Sequence, residues 1–209
     1  MCSERFQHRP RLLANKVCSN IYMKTAIILH GMPSKDGYEN PVRDAQSNSH
    51  WLPWIQQQLL TKGILAQTPE LPEPYMPVYE SWKKEFERFD VNDETILIGH
   101  SCGAGFLVRW LSENKVKVGK VVLVAPWIDV EHELKTGFFD FEIDPLLPSR
   151  TKLLAIISSL NDDKAMLVTT KLLAEYWSEQ QITYMENMGH FCLEDMNTRE
   201  FPELLRILS

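Results

Sequence analysis

The stretch that decides the fold runs Thr95-Ile-Leu-Ile-Gly-His-Ser-Cys-Gly-Ala-Gly-Phe-Leu-Val-Arg-Trp110. Thr95–Ile98 is short, apolar and β-branched, as a buried strand requires, and Gly103–Glu113 follows with the composition of a helix. Between them stands Gly99-His-Ser-Cys-Gly103, a Gly-x-Ser-x-Gly pentapeptide in strand–turn–helix context. The spacing has a steric reason. A serine at the apex of a strained turn needs bare Cα atoms two residues before and after it, so that the strand and helix backbones can pass. Ser101 then projects its hydroxyl from the carboxyl edge of a sheet, and the Cys102 N–H, at the helix start, faces any oxyanion that develops there.

The same glycines allow a different reading. Gly99-x-x-x-Gly103-x-Gly105 matches the turn that cradles a dinucleotide pyrophosphate in short-chain dehydrogenases. That turn follows the first strand and has a Tyr-x-x-x-Lys pair downstream. Here two strand candidates precede it, and the only such pair, Tyr79–Lys83, lies upstream. The dinucleotide reading is set aside.

Working outward, strand and helix signals alternate. Strands are expected at 25–29, 64–68, 95–98, 120–125, 153–158 and 182–185. Helices are expected at 51–62 (with Ser49 as N-cap), 78–89, 103–113, 166–177 and 192–208. Prolines 69, 72, 74 and 77 make 69–77 an extended loop, and 126–150 shows no period. The alternation predicts an α/β protein with a single doubly wound, mostly parallel sheet of about six strands. Residues 1–22 carry a net charge of +3 against −6 for the whole chain and lack an apolar signal core. They are read as a disordered extension ahead of one domain at 23–209.

The acidic balance argues against nucleic acid or an anionic membrane as partner, and no apolar run is long enough to span a bilayer. Four cysteines, Cys2, Cys18, Cys102 and Cys192, form no paired framework, which fits a reduced, cytoplasmic setting. No metal-ligand spacing is present, and no cofactor or metal is expected.

A serine hydroxyl needs a neighbouring base, itself oriented by an acid. His190, in Asn187-Met-Gly-His-Phe191 between the last strand and last helix, stands at the right edge of the sheet; His8, His50 and His132 lack chemical context, and His100 is the variable elbow position. The acid is expected after the fifth strand, in Asn161-Asp-Asp-Lys164. Asp163 is favoured because Met166, three residues on, is apolar and suits an anchor beneath it; Asp162 and Asp129 are the alternatives. The second oxyanion donor is expected from the first strand–helix turn, at the Met32 N–H. Trp51, Trp54, Tyr75, Trp127, Phe138 and Phe139 are candidates for an acyl pocket as well as for the core, and 69–77 and 126–150 are the expected rims.

Ile96–Ala104, the Asp162-Asp163 pair and Gly189-His-Phe191 resemble the small serine hydrolase family that includes retinoblastoma-binding protein 9 and bacterial YdeN-type proteins. The resemblance runs from about Lys24 to the C-terminus. It implies an α/β-hydrolase fold without a large lid domain and a triad of Ser101, Asp163 and His190. The expected activity is hydrolysis of a small-molecule carboxylic ester, or less readily an amide or peptide-like bond, through an acyl-enzyme. The rival is a protein-interaction module on the same fold with a vestigial triad; nothing in the sequence indicates a protein partner.

Overall fold

The computed structural model describes residues 24–209; the expected extension, 1–22, lies outside them. Six strands form one sheet: β1 (Thr25–Leu29), β2 (Leu65–Gln67), β3 (Ile96–His100), β4 (Val118–Val124), β5 (Thr151–Ser159) and β6 (Ile182–Met185). Their order is β2-β1-β3-β4-β5-β6 and every pairing is parallel.

The period of two along the strands sorts the core into two layers. Ile27, Leu29, Leu97, Val121, Leu123 and Ile156 face one side, where they meet Trp82 and Phe86 of α3 (Tyr79–Phe86). Phe106 and Trp110 of α4 (Cys102–Asn114) and Leu173 of α5 (Lys164–Trp177) complete this layer. Ala26, Ile28, Ile98, Val122, Val124 and Ile157 face the other side, against α2 (Leu52–Thr61) and α7 (Pro202–Leu208). Helices on both faces of a parallel sheet leave its strands apolar almost throughout, which is why they read as short continuous runs.

Several boundaries shift by two or three residues, and three local features depart from expectation outright. The last helix is two: α6 (Leu193–Met196) ends at Asn197 in the left-handed region, and Pro202 opens α7. A single turn, α1 (Lys35–Tyr38), forms between β1 and α2, where no helix is expected, because the Ser34 hydroxyl accepts from the Gly37 N–H at 3.1 Å. Ser49 does not cap α2 with its side chain. Its hydroxyl donates to the Gln46 carbonyl at 2.8 Å, while its own carbonyl accepts from Leu52 N–H at 3.3 Å.

The order of strands places the chemistry. The chain steps from β1 outward to β2, then returns across β1 to β3, so the helices leave neighbouring strands β1 and β3 in opposite directions. A crevice opens at such a reversal, outside the carboxyl ends of the two strands. Residues 30–32 and 101–102 sit there.

Candidate active site

Ser101 lies between β3 and α4 with φ 53° and ψ −119°, a conformation that costs an L-residue about 1–3 kcal/mol and persists only when its surroundings fix it. The surroundings do. The Ser101 N–H donates to the Val124 carbonyl at 2.9 Å, and its carbonyl accepts from Gly105 and Trp127 N–H at 3.1 and 3.2 Å. The flanking glycines are needed for space. A Cβ on Gly99 would lie 2.5 Å from the Ala104 Cα, and one on Gly103 would lie 2.3 Å from the His30 carbonyl oxygen.

The turn after β1 closes on this elbow. A Cβ on Gly31 would stand 3.0 Å from the Ser101 Cβ. The turn is pinned from behind by His30: its Nδ1–H donates to the Gly31 carbonyl at 2.8 Å, and its Nε2 accepts from Leu71 N–H at 2.9 Å. Burial pushes the His30 ring below the ordinary imidazole range, which keeps it neutral and able to make both bonds. Among the described residues, neither the Met32 N–H nor the Cys102 N–H donates to a protein acceptor, so both remain free to hold an oxyanion.

The structure sets Asp162, not Asp163, against His190. His190 Nδ1 lies 3.0 and 3.3 Å from the two Asp162 carboxylate oxygens, and the Asp162 side chain is fully buried. Asp163 is instead the N-cap residue of α5, exposed, its carbonyl accepting from Met166 and Leu167 N–H. Met166 therefore anchors the helix start through its backbone rather than a carboxylate through its side chain. Asp163 N–H donates to Asp162 Oδ1 at 2.7 Å, so the second aspartate of the pair steadies the first. Asp129 is committed elsewhere, its two oxygens accepting from Glu133 and Leu134 N–H at 2.8 Å each.

A carboxylate only accepts, so in the neutral imidazole the Asp162 contact puts the proton on His190 Nδ1 and the lone pair on Nε2. Ser101 and His190 line one cavity of about 510 Å³, with His100, Gly31 and Met32 on the same wall. Such a volume suits a small-molecule ligand. The histidine turn is tied to the acid turn: Ser159 Oγ accepts from Met188 N–H at 3.0 Å, and Asn161 Oδ1 accepts from Gly189 N–H at 2.9 Å. Cys102 is fully buried, and burial holds its thiol well above the usual range, which removes it as a nucleophile.

The rest of the wall differs from expectation. It is built from 31–50 and 190–199, including Ser34, Arg43, Gln46, Ser49 and Arg199, and not from 69–77 or 126–150. None of the six aromatic candidates borders it. Trp51 and Phe138 are fully buried in the two core layers, and Trp127 packs on Phe139. The aperiodic 126–150 segment is held down by Arg109, which donates to the Gly137 and Phe138 carbonyls at 2.7 and 2.8 Å.

His50, Cys192 and Glu194 each bring one potential metal-ligand atom within 4.8 Å of the others, a grouping that sequence spacing does not show. Burial pushes the Cys192 thiol up to about 12, and His50 Nδ1 already accepts from Leu193 N–H at 3.0 Å. No helix among the described residues is long and apolar enough to cross a membrane.

Comparison with known proteins agrees with this architecture. The chain is 26% identical over 175 residues to the YdeN protein of Bacillus subtilis (strain 168), covering 79% of this chain and 90% of YdeN. The crystal structure of the B. subtilis ydeN gene product superposes with a TM-score of 0.74 at 24% identity, covering 89% and 97% of the two chains. The methylesterase MES16 from Arabidopsis has a TM-score of 0.58 at 14% identity, covering 88% and 98%. XC6422 from Xanthomonas campestris, an α/β serine hydrolase without a lid, has 0.53 at 14% identity, covering 89% and 81%. The serine hydrolase family model matches residues 37–209. The family match, spanning most of the chain, makes this chain a member of the serine hydrolase family, and a hydrolase.

Proposed function

We propose that the protein hydrolyses a carboxylic ester of a small, polar molecule through an acyl-enzyme on Ser101. His190 Nε2 takes the Ser101 hydroxyl proton as the oxygen attacks the carbonyl, and Asp162 holds the imidazole and steadies the imidazolium that forms. The Met32 and Cys102 N–H groups hold the oxyanion of the tetrahedral intermediate. The proton passes from His190 to the leaving alkoxide, which departs as the alcohol. His190 then deprotonates a water molecule, which attacks the acyl carbonyl and frees Ser101 with release of the carboxylic acid.

The observation that carries this reading is the buried Asp162 carboxylate at 3.0 Å from His190 Nδ1, with His190 and Ser101 on one cavity. The vestigial-module rival loses ground on the same observation, because an idle site has no use for a buried carboxylate held against an imidazole. Arg43, Asp44, Gln46 and Arg199 on a wall that also holds Met32, Pro33, Val42 and Leu193 favour a short or polar acyl group over a long alkyl chain, and an esterase among the fold neighbours is in keeping with ester chemistry. The test is labelling by a fluorophosphonate probe together with turnover of p-nitrophenyl acetate. Wild type should label and turn over, and Ser101→Ala should do neither. Equal labelling of the two proteins would place the nucleophile elsewhere.

A further inference from the structure

We infer that His100 and Asp195 are positioning residues for His190, gripping the peptide units on either side of it. The inference rests on His190 serving as the base. The His190 N–H donates to Asp195 Oδ2 at 2.9 Å, and the His190 carbonyl accepts from His100 Nε2–H at 2.8 Å. One grip comes from α6 and the other from the residue directly before Ser101. The nucleophile turn therefore holds the backbone of the histidine turn by a direct strut.

The turn has reason to need holding. Asn187, Gly189 and Phe191 all stand at positive φ, at 56°, 52° and 57°, and two of these are not glycine. Backbone of this kind keeps its shape only where several contacts over-determine it. Ser159 and Asn161 fasten residues 188 and 189 to the acid turn, but they do not reach the peptide groups of His190 itself. Asp195 and His100 do.

The two gripping side chains are themselves fixed. Asp195 lies against the bare Cα of Gly189, where an added Cβ would come within 2.4 Å of the Asp195 Cγ. His100 is nearly fully buried, edge-on to the rings of Trp51 and His50 with centroids 5.7 Å away in each case, and 5.0 Å from the His190 ring. Burial, reinforced by the nearby His190 and His50 rings, holds His100 well below the ordinary imidazole range. A neutral ring carries one proton, and the contact with the His190 carbonyl puts it on Nε2. A histidine at the variable elbow position thus supplies a short, rigid N–H donor that an aliphatic residue there cannot.

Misplacing a reacting group by about 1 Å can lower turnover by about 100-fold. The experiment measures kcat and KM for p-nitrophenyl acetate, with thermal unfolding, in His100→Leu, His100→Gln, Asp195→Ala and Asp195→Asn, beside wild type and His190→Ala. Leu and Ala remove the donor and the acceptor; Gln Nε2–H and Asn Oδ1 can restore them. His100→Leu and Asp195→Ala should lose about 10- to 100-fold in kcat, with KM within about twofold. Gln and Asn should recover most of that loss. Asp195 is exposed, so its Ala variant folds even where the buried His100→Leu does not, and the Asp195 pair alone can decide. Wild-type kcat in Asp195→Ala, or equal loss in Asp195→Ala and Asp195→Asn, overturns the inference. An inactive wild type, or an active His190→Ala, instead overturns the reading of His190 as base, and the inference falls with it.

Discussion

Replacing Asp162 by Asn keeps the shape of the side chain and removes one acceptor oxygen. Asp162 Oδ1 takes two donors, Asp163 N–H at 2.7 Å and His190 Nδ1–H at 3.0 Å, while Oδ2 sits 3.3 Å from the same Nδ1. An amide oxygen that keeps the stronger backbone bond turns its NH₂ toward His190 Nδ1. Two donors then face each other, and the imidazole resolves the conflict by carrying its proton on Nε2, where it cannot accept from Ser101. A triad locked in the wrong tautomer loses about 10⁴-fold in kcat, or about 5 kcal/mol of transition-state stabilisation. Asp163→Asn makes the opposite prediction. Asp163 makes no side-chain cap bond, Asn is as good an N-cap, and the N–H that serves Asp162 is unchanged, so kcat should stay within about twofold and stability within about 0.5 kcal/mol. The assay is kcat for p-nitrophenyl acetate, with fluorophosphonate labelling rates and thermal unfolding measured in parallel. An Asp162→Asn protein that keeps more than about a tenth of kcat, or an Asp163→Asn protein that loses more than Asp162→Asn, would refute the assignment.

Three further outcomes follow from the same geometry. Gly103→Ala drives a Cβ to 2.3 Å from the His30 carbonyl oxygen, so α4 must shift from β1; destabilisation of about 1–3 kcal/mol should appear as a fall of several degrees in Tm, and an unchanged Tm would refute the close approach. An apolar acyl tunnel would reward each added methylene with about 0.8 kcal/mol, or about fourfold in kcat/KM. The charged side chains Arg43, Asp44, Glu194 and Arg199 on the wall predict no such climb from p-nitrophenyl acetate through butyrate to octanoate, and a steady rise would place an acyl pocket that these residues do not form. His30 and His100 are both lowered by burial from 6.5, so the unfolded chain takes up protons below pH 6.5 that the folded chain refuses. Stability is therefore full above pH 6.5 and falls as the pH drops below it, by at most about 1.4 kcal/mol per pH unit for each ring. Unfolding midpoints that stay level from pH 7.5 to 5.5 would show that these rings are not held neutral.

Most of the architecture was legible because it is written in local patterns. Short continuous apolar runs with helices between them announce a covered parallel sheet, and Gly99-x-Ser101-x-Gly103 announces the elbow, since a strained turn between crossing backbones tolerates few residues. The split of the last helix at Asn197 and Pro202 was also readable in principle from those two residues, but apolar spacing across 192–208 masked it.

The sequence by itself determined the sheet and the turns on which Ser101 and His190 stand, because each depends on its immediate neighbours along the chain. It did not determine which of two adjacent aspartates meets His190. Asp162 and Asp163 differ by one residue in a turn, and which carboxylate faces inward depends on where α5 begins and how its first turn is capped. Nor did it determine what borders the cavity. Aromatic residues satisfy a core and a pocket equally well, and only the packing of α2, α3 and α4 on the sheet sends Trp51 and Phe138 inward. That same packing leaves 31–50 and 190–199 to form the wall. The contacts of His190 with Asp162 and His100 join residues 28 and 90 positions apart. Such contacts exist only once the strand order has brought the carboxyl ends of β3, β5 and β6 to one edge, because no local pattern encodes the distance between turns that meet only through the sheet.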